Sequence, residues 1–235
     1  MKIGICSDIH SNKPALEATL QDMKQNNVDV KVCLGDIVGY NAWPQESLEL
    51  VRNNFDHVVQ GNHDRNVQTP ENYSGNTMAY EGLKHSQRQL TTEQIEWLNS
   101  LPLQETVTFD TNEYLLVHEH PDKSTLGTRE SYVFPRHFSN ILPHINGTTT
   151  DGIFLGHTHV RHTMKLNDKL VHNPGSVGQP RDGTIGSVYT ILDTDSDTRF
   201  DVSKHVVEYD IDSVINKVKE VGLPVKSGNR LLNGE

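Results

Sequence analysis

The chain has 235 residues, a length that predicts one domain spanning 1–235, and its 34% hydrophobic residues include no apolar stretch near the length of a membrane span. A formal net charge of -10 with no basic stretch excludes long nucleic acid drawn in by the overall field, though not a small anionic ester. Residues 1–8 turn polar too soon for a secretory leader, which points to the cytoplasm, and Cys6 and Cys33 sit in apolar runs as buried free thiols.

Residues 2–6 are a short apolar run closed by a polar turn and read as a strand. Residues 14–26 place Leu16, Leu20 and Met23 at helical spacing, with Ser11 or Asn12 as the cap. Residues 30–34 read as a second strand, 44–53 as a helix opened by Pro44, and 57–60 as a third strand. Strand and helix in alternation predict a parallel sheet with crossover helices. Residues 75–100 carry helical pattern, with a second segment opening at Thr91-Thr92-Glu93-Gln94 and stopping at Pro102. Residues 107–109 and 114–117 flank Asp110-Thr111-Asn112-Glu113, a hairpin signal. A helix over 131–142 follows, then strands over 153–155, 160–166, 169–172, 185–192 and 200–207. Turns fall at Asn167-Asp168 and at 193–197. Residues 211–221 form a last helix, and the polar, Gly-rich tail after Pro224 reads as frayed. The order predicts an α/β fold: a four-layer α/β/β/α sandwich of two mixed β-sheets flanked by helices, one sheet largely parallel and the other largely antiparallel.

Five blocks place metal-binding side chains where strands end. They are Asp8-Ile9-His10, Gly35-Asp36, Gly61-Asn62-His63-Asp64, His118 and Gly156-His157-Thr158-His159. Carboxylate, imidazole and amide oxygen suit Mn, Fe, Zn, Co or Ni. Each block alone has a plain alternative: a helix cap for the first, a turn for Gly35-Asp36, an Asx turn for Asn62, a core histidine at His118, a surface loop for the last. Their joint occurrence, in this order and each after a strand, selects the metal reading. In open α/β sheets, groups at the carboxyl ends of strands converge even when far apart in sequence. Asp8 with His10, and His157 with His159, are each two apart and would share a side in extended geometry.

These five blocks resemble the calcineurin-like metallophosphoesterases, whose pattern runs D-x-H, G-D, G-N-H-D/E, H and G-H-x-H. The run Asn173-Pro174-Gly175-Ser176-Val177-Gly178-Gln179-Pro180-Arg181 is similar to a small bacterial and archaeal phosphodiesterase-like branch. The resemblance implies two divalent metal ions, with Mn or Fe preferred and Zn, Co or Ni compatible. By that resemblance Asp8, His10, Asp36 and His159 hold the first ion, and Asp36, Asn62, His118 and His157 the second, Asp36 bridging. The ions would lie about 3.5–4 Å apart and share a hydroxide that attacks phosphorus in line, while His63 protonates the departing alkoxide. The implied substrate is a small phosphodiester or phosphomonoester, a nucleotide among the candidates, with no membrane partner. A protein phosphatase and a non-catalytic scaffold on this fold are the alternatives. Scaffolds of that kind have usually lost the catalytic histidine or several ligands, all of which this chain keeps.

Departures from the family bear on the substrate. Protein phosphatases read G-D-x-V-x-R-G where this chain reads Gly35-Asp36-Ile37-Val38-Gly39-Tyr40-Asn41, so that clamping arginine is missing. The acidic residue that orients the catalytic histidine there is missing too, and Asp64 is the candidate replacement. Glu119 follows His118 where relatives carry glycine, and its carboxylate would either repel a substrate anion or make an outer contact. Arg181 is the candidate phosphate clamp, whereas Arg65 reads as a solvated loop arginine. Tyr40, Trp43 and Tyr80 read as packing residues rather than as platforms for a nucleobase.

Overall fold

The computed structural model describes residues 1–145, 149–166, 168–195 and 200–235. Asn167 of the turn expected at 167–168, and Ser196 and Asp197 of the turn expected at 193–197, lie outside the described residues. The chain runs β1 (Lys2–Cys6), α1 (Lys13–Gln25), β2 (Val30–Cys33), α2 (Pro44–Asn54), β3 (His57–Val58), α3 (Asn62–Asn66), α4 (Thr77–Gln89) and α5 (Thr92–Ser100). It continues through β4 (Gln104–Phe109), β5 (Asn112–Val117), α6 (Phe138–Ile145), β6 (Gly152–Phe154), β7 (His162–Leu166) and β8 (Lys169–Asn173). β9 (Ser187–Asp193), β10 (Asp201–Val207), α7 (Ile211–Glu220) and α8 (Val225–Asn229) complete it.

Two five-stranded sheets result, ordered β10-β9-β1-β2-β3 and β4-β5-β6-β8-β7. They face each other through an apolar layer. Ile3, Ile5, Val32 and Leu34 of the first sheet meet Val107, Tyr114, Leu116 and Phe154 of the second. Strand alternation sends Cys6 and Cys33 the other way, into the layer covered by α1 and α2 with Leu16, Met23, Leu48 and Val51. Val117, Ile153, Leu155 and Val171 on the outer face of the second sheet are covered by Val133 and Ile141. The sandwich with helices outside is therefore as the sequence predicts.

The strand directions differ from expectation. In the first sheet β1 pairs parallel with β2 and β2 with β3, while β9 is antiparallel to both β1 and β10. The second sheet also combines parallel β5-β6 and β6-β8 with antiparallel β4-β5 and β7-β8. Both sheets are thus evenly mixed, because antiparallel strands flank three parallel strands at both edges of the second sheet and at one edge of the first.

Caps follow the sequence reading. Asn12 accepts from the Ala15 N–H at the start of α1, and Thr91 with Gln94 closes a capping box at α5. The helix expected at 131–142 is a correction. Short 3-10 turns occupy Arg129–Ser131 and Pro135–His137, and α6 begins only at Phe138. Pro135 disfavours helical backbone at Phe134, which opposes a helix running through that point. The third strand is also shorter than expected, since the Gln60 N–H turns to the Pro102 carbonyl. The tail expected to fray is instead ordered: α8 and a 3-10 turn at Arg230–Leu232 bury Leu231 with Val214, Val218 and Leu223. Among the described residues no helix is long and apolar enough to cross a membrane.

Candidate metal centre

The loops after β1, β2, β3, β5 and β6 meet at one edge of the sandwich. Backbone bonds lock the first two together: Asp8 N–H donates to the Gly35 carbonyl, and His10 N–H to the Asp36 carbonyl at 2.9 Å. Asp8, His10, Asp36, His157 and His159 all have positive φ, at 55, 50, 56, 69 and 60°. The paired ligands therefore share a side through left-handed turns, not through the extended geometry expected. Such backbone costs on the order of 1–3 kcal/mol per residue and persists where the surroundings enforce it.

Two donor groups result, Asp8 with His10 and His159, and Asp36 with His118 and His157, each with its donor atoms within 4.8 Å of one another. Asn62 Oδ1 lies 3.3 Å from His118 Nε2, so all seven ligands expected from sequence come together. His63 joins His10 and Asp36 in a third such group, its ring 4.6 Å from that of His10. All of these side chains are buried.

The hydrogen bonds set which nitrogen faces inward. Nδ1 of His10, His118 and His159 donates to the carbonyls of Val38, Leu34 and Gln179 at 3.1, 2.6 and 2.6 Å. Their Nε2 atoms face the carboxylates of Asp8 and Asp36, the orientation a ligating imidazole needs. His157 is reversed. Ser131 spends its one O–H on the Thr128 carbonyl and so accepts from His157 Nε2, which leaves Nδ1 facing inward. Burial pushes His10 and His157 far below the usual histidine range and lowers His159, so these rings are neutral. His10 Nε2 and His159 Nε2 then point lone pairs at each other across 3.0 Å, beside Asp8 Oδ1, which has no hydrogen-bond partner. A cation between them would reconcile that arrangement. Burial opposes charge on Asp8 and Asp36 as well, but the neighbouring histidines hold both carboxyls well below the usual range. His118 responds oppositely: against burial, Asp36 raises it to about 10. This donor set fits divalent metal.

Two glycines make the packing possible. A Cβ on Gly156 would lie 2.0 Å from Ser7 Oγ and 3.2 Å from Asp8 Oδ2. One on Gly39, with φ of 96°, would lie 2.2 Å from His63 Nδ1. His63 thus rests on Gly39, between Tyr40, stacked at 5.0 Å, and Tyr73, whose hydroxyl is 3.4 Å from Nε2. Nδ1 is buried without a partner. Burial first, with His159 and Arg181, pushes His63 down to about 4 against the pull of Asp36.

The structure places the remaining expected residues differently from one another. The Asp64 carboxylate makes no hydrogen bond to the His63 ring among the described residues. Its oxygens accept from the N–H groups of Asp36, Ile37, Val38 and Gly61 at 2.9, 2.9, 3.3 and 3.0 Å. Arg181 donates to the Tyr40 hydroxyl and to Gln179 Oε1, on the His159 side. Arg65 is a correction: it is half-buried and ion-paired, its Nη2 2.6 Å from Glu119. That pair also answers for Glu119, whose charge is neutralised. Both line a cleft of about 300 Å³ together with Asn62, Tyr73, Tyr132 and His157. Tyr73, Tyr132 and Ser131 carry no motif, and nothing in the sequence singles them out.

A family model for the calcineurin-like phosphoesterase superfamily domain matches residues 1–197. The chain belongs to that superfamily. It is 33% identical over 248 aligned positions to an uncharacterized protein of Methanocaldococcus jannaschii, covering 99% of this chain and 98% of the other. It is similar to the crystal structure of a metallophosphoesterase from Sphaerobacter thermophilus, with TM-score 0.81, 32% identity and coverage of 100% and 99%. A hypothetical protein from Pyrococcus horikoshii has the same fold, with TM-score 0.86, 20% identity and coverage of 100% and 98%. The expected family and sandwich thus hold, and the superfamily's phosphoester chemistry accords with the His/Asp clusters.

Proposed function

We propose that this protein hydrolyses a small phosphodiester or phosphomonoester with two divalent ions, Mn or Fe, held by the two donor groups. One observation carries the reading: the buried Nε2 atoms of His10, His118 and His159 converge on the carboxylates of Asp8 and Asp36, while His63 stands beside them with Nε2 3.4 Å from the Tyr73 hydroxyl. Such ions, when bound, supply an activated water and neutralise phosphoryl oxygens. Asp8, His10 and His159 hold one ion and Asn62, His118 and His157 the other, with Asp36 between the two groups. His63 Nε2 delivers the proton to the departing alkoxide. A phosphate anion beside the ring favours the imidazolium that this step consumes. Arg181 orients the substrate from the His159 side. The cleft, at about 300 Å³, matches the small end of small-molecule sites.

The test is hydrolysis of bis-p-nitrophenyl phosphate and p-nitrophenyl phosphate by metal-stripped protein with Mn restored. Activity on at least one is expected. His63→Ala should lower kcat by about 10²–10⁴ with metal content unchanged. Absence of hydrolysis with metal bound would overturn the reading, and full activity in His63→Ala would remove His63 from the mechanism.

A further inference from the structure

The cleft carries charge that the hydrolytic step does not use. Arg65 commits Nη2 to Glu119 at 2.6 Å, while Nη1 is buried with no hydrogen-bond partner. Leaving a buried charged donor unpaired is costly, so an acceptor belongs there. Arg129, on the 3-10 turn that precedes Tyr132, lines the same cleft, and its guanidinium makes no hydrogen bond or ion pair among the described residues. Glu119 cancels one of the two arginines, so the three side chains leave one net positive charge. The amides of Asn66 and Asn72 lie on the same lining, and no other carboxylate joins Glu119 there. Asn62 and His157 belong both to the donor groups and to the cleft. A substrate whose scissile phosphorus lies at those donors would extend an arm along a lining that includes Tyr73, Tyr132 and the two arginines. Guanidinium groups match phosphoryl oxygens in charge and in planar, two-pronged geometry.

We propose that this cleft is a subsite for a second phosphoryl group carried on the ester arm of the substrate, held by Arg129 and the unpaired edge of Arg65. The proposal rests on the phosphoesterase reading above. It gives Glu119 a role: the carboxylate fixes one prong of Arg65 and leaves the other for the ligand. The volume of about 300 Å³ suits an arm about the size of a nucleoside.

The test compares thymidine 5′-(p-nitrophenyl phosphate) with the same diester bearing a 3′-phosphate, using the Mn-loaded protein. The 3′-phosphorylated ester should have a kcat/KM higher by about tenfold or more, the worth of one hydrogen bond to a charged group. Arg129→Gln should bring the ratio toward one. Arg65→Gln combined with Glu119→Gln, which keeps the pair neutral, should do the same. Equal hydrolysis of both esters would overturn the subsite and leave the phosphoesterase reading intact. Hydrolysis of neither would overturn that reading, and binding would then judge the subsite. Thymidine 3′,5′-bisphosphate should bind the Mn-loaded protein about tenfold more tightly than thymidine 5′-monophosphate, and equal affinities would sink the proposal.

Discussion

Asp64 adjoins His63 in the chain, yet its carboxylate faces the other way and gathers four N–H groups from the loops that carry Asp36 and Asn62. Burial and the Asp36 charge push Asp64 up to about 7, and the N–H groups of Gly61 and Val38 pull against them. The side chain ties together the loops that carry the proposed ligands Asp36 and Asn62 and leaves His63 to Tyr40, Tyr73 and Gly39. An amide at position 64 would turn one acceptor into a donor facing those N–H groups. Asp64→Asn is therefore expected to weaken Mn binding about tenfold or more, as loss of an outer-sphere partner does. Calorimetric titration of stripped protein measures this. Unchanged affinity would show that the four hydrogen bonds do not support the site, whereas His63→Ala should leave metal affinity alone.

At the scale of elements, the C-terminal segment is the clearest case of packing overriding composition. Residues 225–235 include Lys226, Ser227, Gly228, Asn229 and Arg230, a polar stretch with no helical stripe. Two features nevertheless dock it. Gly228 brings the backbone close to α7, where an added Cβ would sit 3.2 Å from Ile215 Cα, and Leu231 is 2% exposed. The Gly183 N–H donates to the Gly234 carbonyl, tying the tail to the loop that carries Arg181. Removing Leu231 leaves a cavity against Val214 and Val218, so Leu231→Ala should cost about 2–3 kcal/mol in urea unfolding. A loss below about 0.5 kcal/mol would mean that the tail contributes no core.

Across the whole molecule, His172 joins the two sheets. One ring nitrogen bonds Thr163 Oγ1 on β7 at 2.9 Å, and the other bonds Thr190 Oγ1 on β9 at 2.8 Å. Burial pushes this histidine down to about 3 from its ordinary 6.5. The unfolded chain takes up a proton on the ring near pH 6.5, and the folded chain only near 3. Stability is therefore lost as pH falls through that window, by about 1.4 kcal/mol per unit. His172→Gln removes this contribution, so the stability difference between wild type and variant should narrow by that amount per unit between pH 6 and 4. A difference constant with pH would show that the ring is not held neutral between the sheets.

The proposed metal ligands were legible in the sequence because ligation depends on residue type, and their blocks follow short apolar runs that read as strands. Asp8, His10, Asp36, Asn62, His118, His157 and His159 needed no contact information to be named, and the sandwich followed from the order of strands and helices. What tertiary structure decided was direction and partnership. The reversed ring of His157 depends on Ser131, 26 residues away. The neutralised charge of Glu119 depends on Arg65, 54 residues away. The environment of His63 depends on a glycine and two tyrosines that belong to no motif. Contacts between distant segments leave no local periodicity, because they are set by where the strands place their loops.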